Sequence, residues 1–223
     1  MTREELINEI IRLEWGMFTA TQNNGGRASC QDDWPTFEIM RRSQHMIWAM
    51  DTLDSYRADL SEALGRGENL VAFKYGYMMR VTYPEEYEVI KVMLPPITEE
   101  KTSIVDQIAD IHAQWAQEKA EKYPLVSGMG RPQTSQQGGR WAAIDNYLYS
   151  ELLTYSEPTL AFCLRDTLAA KEKGENLSIK IVENTAKLYG YSTLDALESS
   201  MKGIRLDPAM RCARALMKRP GWQ

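Results

Sequence analysis

The chain has 223 residues, of which 43% are hydrophobic and 26% are charged, a composition typical of a globular protein with one sizeable core. Its 31 acidic residues outnumber its 26 lysines and arginines, which argues against nucleic acid or an anionic membrane surface as the main partner. The three cysteines, Cys30, Cys163 and Cys212, are too few and too scattered for a disulfide framework or a zinc knuckle. The charged start MTREELINEI does not resemble a signal peptide and no apolar run is long enough to cross a bilayer, so we expect a cytoplasmic protein.

Apolar residues recur with the helical period along nearly the whole chain, whereas the alternation typical of strands is weak. The sequence therefore predicts an all-α fold, a single-domain bundle of about eight or nine helices. In this prediction residues 1–123 form the N-terminal helices, 124–140 a long loop, and 141–223 the C-terminal helices of the same core.

The first predicted helix runs from Thr2 to about Gln22 and begins with a capping box formed by Thr2 and Glu5. A long second helix is predicted from Pro35 to about Leu64, because proline suits a first turn and glycines follow at the end. The remaining predicted helices are Leu70–Val81, Pro84–Leu94, a segment capped by Thr98, Trp141–Tyr155, Ser156–Lys171, Leu177–Tyr189, Ser192–Met201 and Asp207–Met217.

Two long loops, 23–34 and 124–140, share glycines followed by arginine, at Arg27, Arg131 and Arg140. Glycine lets backbone amides approach a ligand closely, and arginine binds a carboxylate or phosphate in a bidentate fork. Each loop also leads into a helix N-terminus, which favours an anion. The alternative is that these are ordinary connections whose arginines pair with nearby acidic side chains.

Glu14 is the most informative single residue, because its helical neighbours Ile10, Ile11, Met17 and Phe18 are all apolar. This spacing predicts a carboxylate on the face that packs against the core. Burying an ionised carboxylate costs several kcal/mol unless it is paired, protonated or bound to a metal. Glu14 is therefore either a carboxylate tuned for chemistry or half of a buried ion pair with an arginine.

Glu151 repeats this pattern on an aromatic face, with Tyr147 and Tyr155 as helical neighbours. Two carboxylates that face inward from two helices suit general acid–base catalysis, and they also suit a carboxylate-bridged metal pair. Two independent buried salt bridges are the structural alternative. Spacing alone neither chooses among these nor shows whether Glu14 and Glu151 meet in space.

Cys30 lies just before a predicted helix start, where the helix dipole favours a thiolate, so it is a candidate nucleophile. Neighbouring acidic residues and the lack of a nearby histidine argue against this role. The only two histidines, His45 and His112, are too few for a His-rich metal site. We expect His45 to lie with Glu38 on a solvated helix face and His112 to be a core histidine.

Several segments resemble the family known as "domain of unknown function 4125". The resemblance covers most of the chain, about Glu5 to Leu160, and we expect it to continue beyond Leu160. The segments are LEWGMF (Leu13–Phe18), GGRASCQDDWPTFEIMRRSQ (Gly25–Gln44), GMGRP (Gly128–Pro132) and YLYSELLTYSEPTL (Tyr147–Leu160). The resemblance implies no particular reaction. It does fall on the segments that contain Glu14, Arg27, Arg131 and Glu151.

Three functional hypotheses follow, and the first is a small-molecule enzyme of the lyase, isomerase or hydrolase type that works by proton transfer on an anionic substrate. Its predicted catalytic residues are Glu14, Glu151, Tyr155 and Cys30, and its predicted substrate-binding residues are Trp15, Arg27, Gln31, Arg131 and Tyr147. The sequence requires no cofactor and assigns no metal ligand. We expect no nucleic-acid or membrane partner, and a homo-oligomer is an open option.

The second hypothesis is an oxidoreductase that uses the same carboxylates to hold a di-iron-like metal pair. The third is a non-catalytic helical module that binds a ligand or takes part in an assembly, in which Glu14 and Glu151 are structural ion pairs.

Overall fold

A computed structural model describes residues 1–22, 25–135 and 143–202. Within these residues the protein has eleven α-helices, two short 3-10 turns and no strand, which confirms the all-α prediction. The helices are α1 (Arg3–Ala20), α2 (Trp34–His45), α3 (Met50–Gly65), α4 (Leu70–Thr82), α5 (Pro84–Ile90), α6 (Glu99–Lys122), α7 (Pro124–Met129), α8 (Ile144–Leu152), α9 (Glu157–Glu172), α10 (Leu177–Leu188) and α11 (Leu194–Met201).

Helix α1 begins as the sequence predicts. The Thr2 hydroxyl accepts a hydrogen bond from the Glu5 amide at 3.3 Å, and the Glu5 carboxylate accepts one from the Thr2 amide at 2.8 Å. This capping box satisfies two backbone donors that have no partner inside the helix. The apolar face of α1 then packs into the core over its whole length, with Glu14 in the middle of that face.

The single long helix predicted from Pro35 to Leu64 is wrong, because the structure has two helices there, α2 and α3. Four apolar side chains that a single helix would be expected to bury are exposed: Met40, Met46, Met50 and Leu64. The chain turns between these two helices, so the helical spacing does not continue from one to the other.

The turn between α2 and α3 is held by side chains that are distant in sequence. The Asp166 carboxylate on α9 accepts hydrogen bonds from the Ala49 amide at 2.9 Å and from the Thr52 hydroxyl at 2.6 Å, at the start of α3. The Arg3 guanidinium donates to the Met46 carbonyl at the end of α2, at 3.0 Å. Tertiary contacts therefore replace the glycine or proline that would mark a break in the sequence.

The predicted 124–140 loop also begins with a helix, α7, which Pro124 opens at its first turn. The buried Glu198 carboxylate on α11 accepts hydrogen bonds from the Leu125 amide at 2.9 Å and the Val126 amide at 2.8 Å. Arg140 and the predicted helix Asp207–Met217 lie outside the described residues. That the whole chain, residues 1–223, forms a single helical domain stays a prediction.

Helix α1 packs against α2, α3 and α4, and α4 packs in turn against α8. Helix α6 lies against α7, α8, α9 and α10. The largest buried apolar cluster includes α1 residues such as Ile7 and Ile10, together with Leu53, Leu60 and Leu160 from α3 and α9. This arrangement brings the inner faces of α1, α2, α4 and α8 together. Among the described helices, none has the length and apolarity needed to cross a membrane.

Candidate functional site

Arg41 on α2 joins the two carboxylates that the sequence singled out. Its Nε donates to Glu14 Oε2 at 2.9 Å, and its Nη2 donates both to Glu14 Oε1 and, at 2.8 Å, to Glu151 Oε1. The three side chains are largely buried, with exposed fractions of 12% for Arg41, 2% for Glu14 and 16% for Glu151. The structure thus contains the buried ion pair that the sequence left open for Glu14, and the same arginine also pairs with Glu151.

Glu14 has two further donors besides Arg41. His45 Nε2 lies 3.0 Å from Glu14 Oε2, and the Tyr56 hydroxyl donates to Glu14 Oε1 at 2.9 Å. Burial alone would raise the pKa of Glu14, but the positive charge of Arg41 and the contact with His45 outweigh burial and lower this pKa to about 2. The Glu14 carboxylate is therefore ionised at neutral pH.

Glu151 is also held by a second cation, Lys74 on α4. Lys74 Nζ donates to Glu151 Oε2 at 2.6 Å, and the Tyr155 hydroxyl donates to Glu151 Oε1 at 3.0 Å. Burial opposes ionisation here as well, but Arg41 and Lys74 hold the pKa of Glu151 well below its usual range. Glu151 therefore also stays ionised.

These four groups, Glu14, Arg41, Glu151 and Lys74, form a chain of alternating charges that we call the charge network. Burial disfavours the charged guanidinium of Arg41, yet the two flanking carboxylates raise its pKa well above the ordinary value. Each buried charge in the network thus has an opposite charge within hydrogen-bond distance. Such pairing is what makes the burial of ionised groups tolerable.

The prediction that His45 lies on a solvated face is wrong, because its side chain is completely buried. The polar face of α2, which carries Arg41, Gln44 and His45, turns inward onto Glu14 and does not face water. His45 Nδ1 is a buried nitrogen without a hydrogen-bond partner in the described part of the chain. His112 is half-buried against Trp115, and burial lowers its pKa to about 4.

Sequence reasoning missed four residues of this site: Arg41, His45, Tyr56 and Lys74. Two of them carried a usable signal. Lys74 is the only charged residue in the apolar run LVAFKYGYMM, and Tyr56 has the helical spacing of the buried Leu53 and Leu60.

A second set of side chains, which we call the outer group, lies at the Lys74 end of the charge network. It consists of Lys74 itself and of Cys30, Tyr75, Arg131 and Tyr147. The Tyr147 ring centroid is 4.9 Å from Lys74 Nζ and 4.4 Å from Arg131 Cζ, distances typical of cation–π contacts. The structure therefore brings the predicted residues Arg131 and Tyr147 next to the Lys74 end of the charge network.

The remaining members of the outer group are held in their protonated forms. Burial raises the pKa of Tyr75 well above its ordinary value, and the neighbouring Tyr147 and Cys30 add to this effect. Burial also raises the pKa of the Cys30 thiol, although Arg131 opposes the shift. At neutral pH these two groups are consequently hydrogen-bond donors.

Two predicted substrate-binding residues, Arg27 and Gln31, hold the 25–33 loop against the end of α1. Arg27 Nε donates to Asp32 at 2.9 Å, and the Gln31 amide donates to the Phe18 and Thr21 carbonyls, both at 2.8 Å. Gln31 is buried and satisfies carbonyls at the C-terminus of α1. Their role in substrate binding stays a prediction.

Trp15, another predicted substrate-binding residue, is half-buried in an aromatic cluster, with its ring centroid 5.3 Å from that of Trp34 and 5.0 Å from that of Phe37. Its described ring contacts thus connect α1 with α2.

The described residues do not provide a set of ligands for a metal pair. No group of three or more histidine, cysteine, aspartate and glutamate side chains converges there in an arrangement that could hold a metal ion. The space between Glu14 and Glu151, where a bridging metal would bind, is occupied by the Arg41 guanidinium.

The chain belongs to the family described as "Protein of unknown function (DUF4125)", whose model matches residues 4–199. This confirms the resemblance seen in the sequence and extends it through nearly all of α11. No curated protein and no solved structure matches the chain.

Proposed function

We propose that the protein is a cytoplasmic small-molecule enzyme that acts by proton transfer on a substrate with an anionic group. One observation carries the proposal: a series of four charged side chains runs from Glu14 in the core to Lys74, which lies beside the cation Arg131 and the protonated side chains of the outer group. Alternating charge of this kind fixes the position of the group at its end.

In this proposal the candidate residues from the sequence have different roles, which their contacts support. Glu14 and Glu151 are ionised and fully hydrogen-bonded, so they position Arg41 and Lys74 and are poor general acids. Tyr155 donates to Glu151 and supports the same arrangement.

Tyr75 is the proton donor of this proposal, with Cys30 as a second donor. Both groups are protonated at neutral pH and belong to the outer group, where they can donate to negative charge that develops on a substrate. A raised thiol pKa disfavours the nucleophilic thiolate, so Cys30 acts here as a hydrogen-bond donor and not as a nucleophile.

The test is to incubate the full-length protein in D₂O with a panel of small carboxylates and phosphate monoesters and to follow each compound by proton NMR. We expect conversion of at least one compound, or incorporation of solvent deuterium into it. The Tyr75→Phe variant should slow this reaction at least ~10-fold, the lower range for general acid–base catalysis, with an unchanged Tm. Tyr189→Phe, at an exposed tyrosine, is the matched control.

A second candidate function is a non-catalytic helical module that binds a ligand. It is favoured by the observation that each carboxylate oxygen of Glu14 and Glu151 already accepts two hydrogen bonds from protein donors. If compounds of the panel bind but none is converted or exchanges a proton, this second function replaces the first.

A further inference from the structure

Lys74 is the member of the charge network whose ammonium has N–H donors without an acceptor among the described residues. An ammonium carries three N–H donors, and Lys74 Nζ uses one of them on Glu151 Oε2 at 2.6 Å. The other two have no acceptor among the residues that the structure describes. The side chain is only 14% exposed, so little water is available to replace the missing acceptors.

A second cation, Arg131, contacts the same tyrosine ring as Lys74. Lys74 Nζ and Arg131 Cζ lie 4.9 Å and 4.4 Å from the centroid of the same Tyr147 ring, so both cations border one aromatic side chain. A single carboxylate or phosphate has enough acceptor oxygens to take a hydrogen bond of about 2.8 Å from each cation.

The order of charges points to the same ligand. From the core outward the charges are negative on Glu14, positive on Arg41, negative on Glu151 and positive on Lys74, and the next charged side chain at the Tyr147 ring is the cation Arg131. Within the described part of the chain, two positive charges therefore follow one another at the Lys74 end of the series. An anion bound beside Lys74 would restore the alternation.

We propose that Lys74 and Arg131 together bind the carboxylate or phosphate group of a small molecule beside the Tyr147 ring, with Glu151 as the positioning residue for Lys74. That this small molecule is a substrate rests on the proposed function. The binding of the anion itself rests only on the geometry of Lys74, Tyr147 and Arg131.

The experiment is isothermal titration calorimetry of the full-length protein with sodium acetate and with inorganic phosphate, at constant ionic strength set by chloride. Binding of either anion supports the subsite, and the tighter of the two identifies the group that the natural ligand carries. Lys74→Met and Arg131→Gln should each weaken binding at least ~10-fold, the loss of one charge-assisted hydrogen bond. Lys74→Arg, which retains the charge, should restore most of the affinity.

Matched controls are Arg66→Gln, at an exposed arginine, and Lys91→Met, at an exposed lysine, neither of which should change the affinity. Lys74→Met leaves Glu151 paired with Arg41 and Tyr155, and an unfolding curve verifies that it is folded. The inference is overturned if neither anion binds, or if binding survives both Lys74→Met and Arg131→Gln. Because this measurement reads binding alone, its failure differs from a failure to find proton transfer in the NMR assay.

Discussion

Arg41 determines the electrostatic state of the site, because both inward-facing carboxylates depend on it. Its guanidinium fork contacts Glu14 on one side and Glu151 on the other, and both pKa values fall as a result. A lysine could not replace it, since a single ammonium lacks the planar set of donors needed to reach four carboxylate oxygens. The charge state of the site thus depends more on Arg41, which lies between the two carboxylates in space, than on the glutamates themselves.

Replacing Glu14 by glutamine should destabilise the protein by about 3 kcal/mol, because removing one partner leaves a buried charge uncompensated. Arg41 retains Glu151, which keeps the loss near the lower end of the range for broken buried pairs. Urea unfolding monitored by tryptophan fluorescence measures the change. The control Glu88→Gln, at an exposed ion pair, should change the free energy of unfolding by less than ~0.5 kcal/mol.

An unchanged or higher stability in Glu14→Gln would contradict the ion-pair interpretation of Glu14. It would instead indicate that the native carboxylate is held against strain for function, since functional groups often lower stability.

His112 should make stability depend on pH above the range in which the carboxylates titrate. Its pKa falls from 6.5 in the unfolded chain to about 4 in the folded one, so the unfolded state binds more protons between these values. Stability is complete above pH 6.5 and is lost as the pH falls toward 4, by up to ~3 kcal/mol. Urea unfolding at pH 7 and pH 4.5 should show a much smaller difference in His112→Gln than in the natural protein.

Equal losses in the two proteins would show that His112 does not stay neutral in the folded state. The Glu14 contribution lies lower, because its pKa is about 2 in the folded chain and 4.5 in the unfolded one. Its stabilisation is present above pH 4.5 and is lost as the pH falls toward 2, so it leaves the His112 comparison nearly unaffected.

Helix starts could be predicted where the capping residue lies next to the helix in sequence. Thr2, Asn69 and Thr98 each accept a hydrogen bond from the first turn of the helix that follows, so α1, α4 and α6 begin within a residue of the predicted positions. The break before α3 could not be predicted, because the side chain that holds this turn, Asp166, lies 117 residues away from Ala49.

The residues of the candidate site also differ in how they could be predicted: some stand out from the local sequence pattern, whereas others are shown only by tertiary packing. Glu14 and Glu151 stand out in the sequence because a charge among apolar helical neighbours breaks the expected pattern. Arg41 and His45 have polar neighbours on α2, and a polar helix face normally faces water. Only the packing of α2 on α1 shows that this face covers Glu14.

The short helix α7 depends on a cap from another element, and Glu198→Gln tests this dependence. The carboxylate accepts from two first-turn amides that have no partner within the helix, Leu125 and Val126. A glutamine keeps one acceptor oxygen and no charge, so we expect a loss of about 1 to 2 kcal/mol. Hydrogen exchange at the two amides should accelerate, whereas exchange in α1 should not.

The matched control is Asp195→Asn, an exposed acidic residue in the first turn of α11. It should leave exchange at Leu125 and Val126 unchanged. Unchanged exchange in Glu198→Gln as well would show that α7 does not need the α11 carboxylate.

At the scale of the whole molecule, the charge network connects helices that are far apart in sequence. Its members lie on α1, α2, α4 and α8, at positions 14, 41, 74 and 151. The arrangement therefore exists only when all four helices are packed together. Because the charges are largely buried, salt should screen their interaction much less than that of exposed pairs such as Arg66 and Glu62.

The network predicts energetic coupling between Glu14 and Lys74, two side chains with no hydrogen bond or ion pair between them in the structure's described contacts. Glu14→Gln leaves an excess positive charge and Lys74→Met an excess negative charge, whereas the double variant retains the balanced pair Arg41–Glu151. The double variant should thus lose about 1 kcal/mol less than the sum of the single variants, measured by urea unfolding. Combining Glu14→Gln with Glu198→Gln should give additive losses to within ~0.5 kcal/mol, and additivity in both cycles would mean that the four charges act as separate pairs.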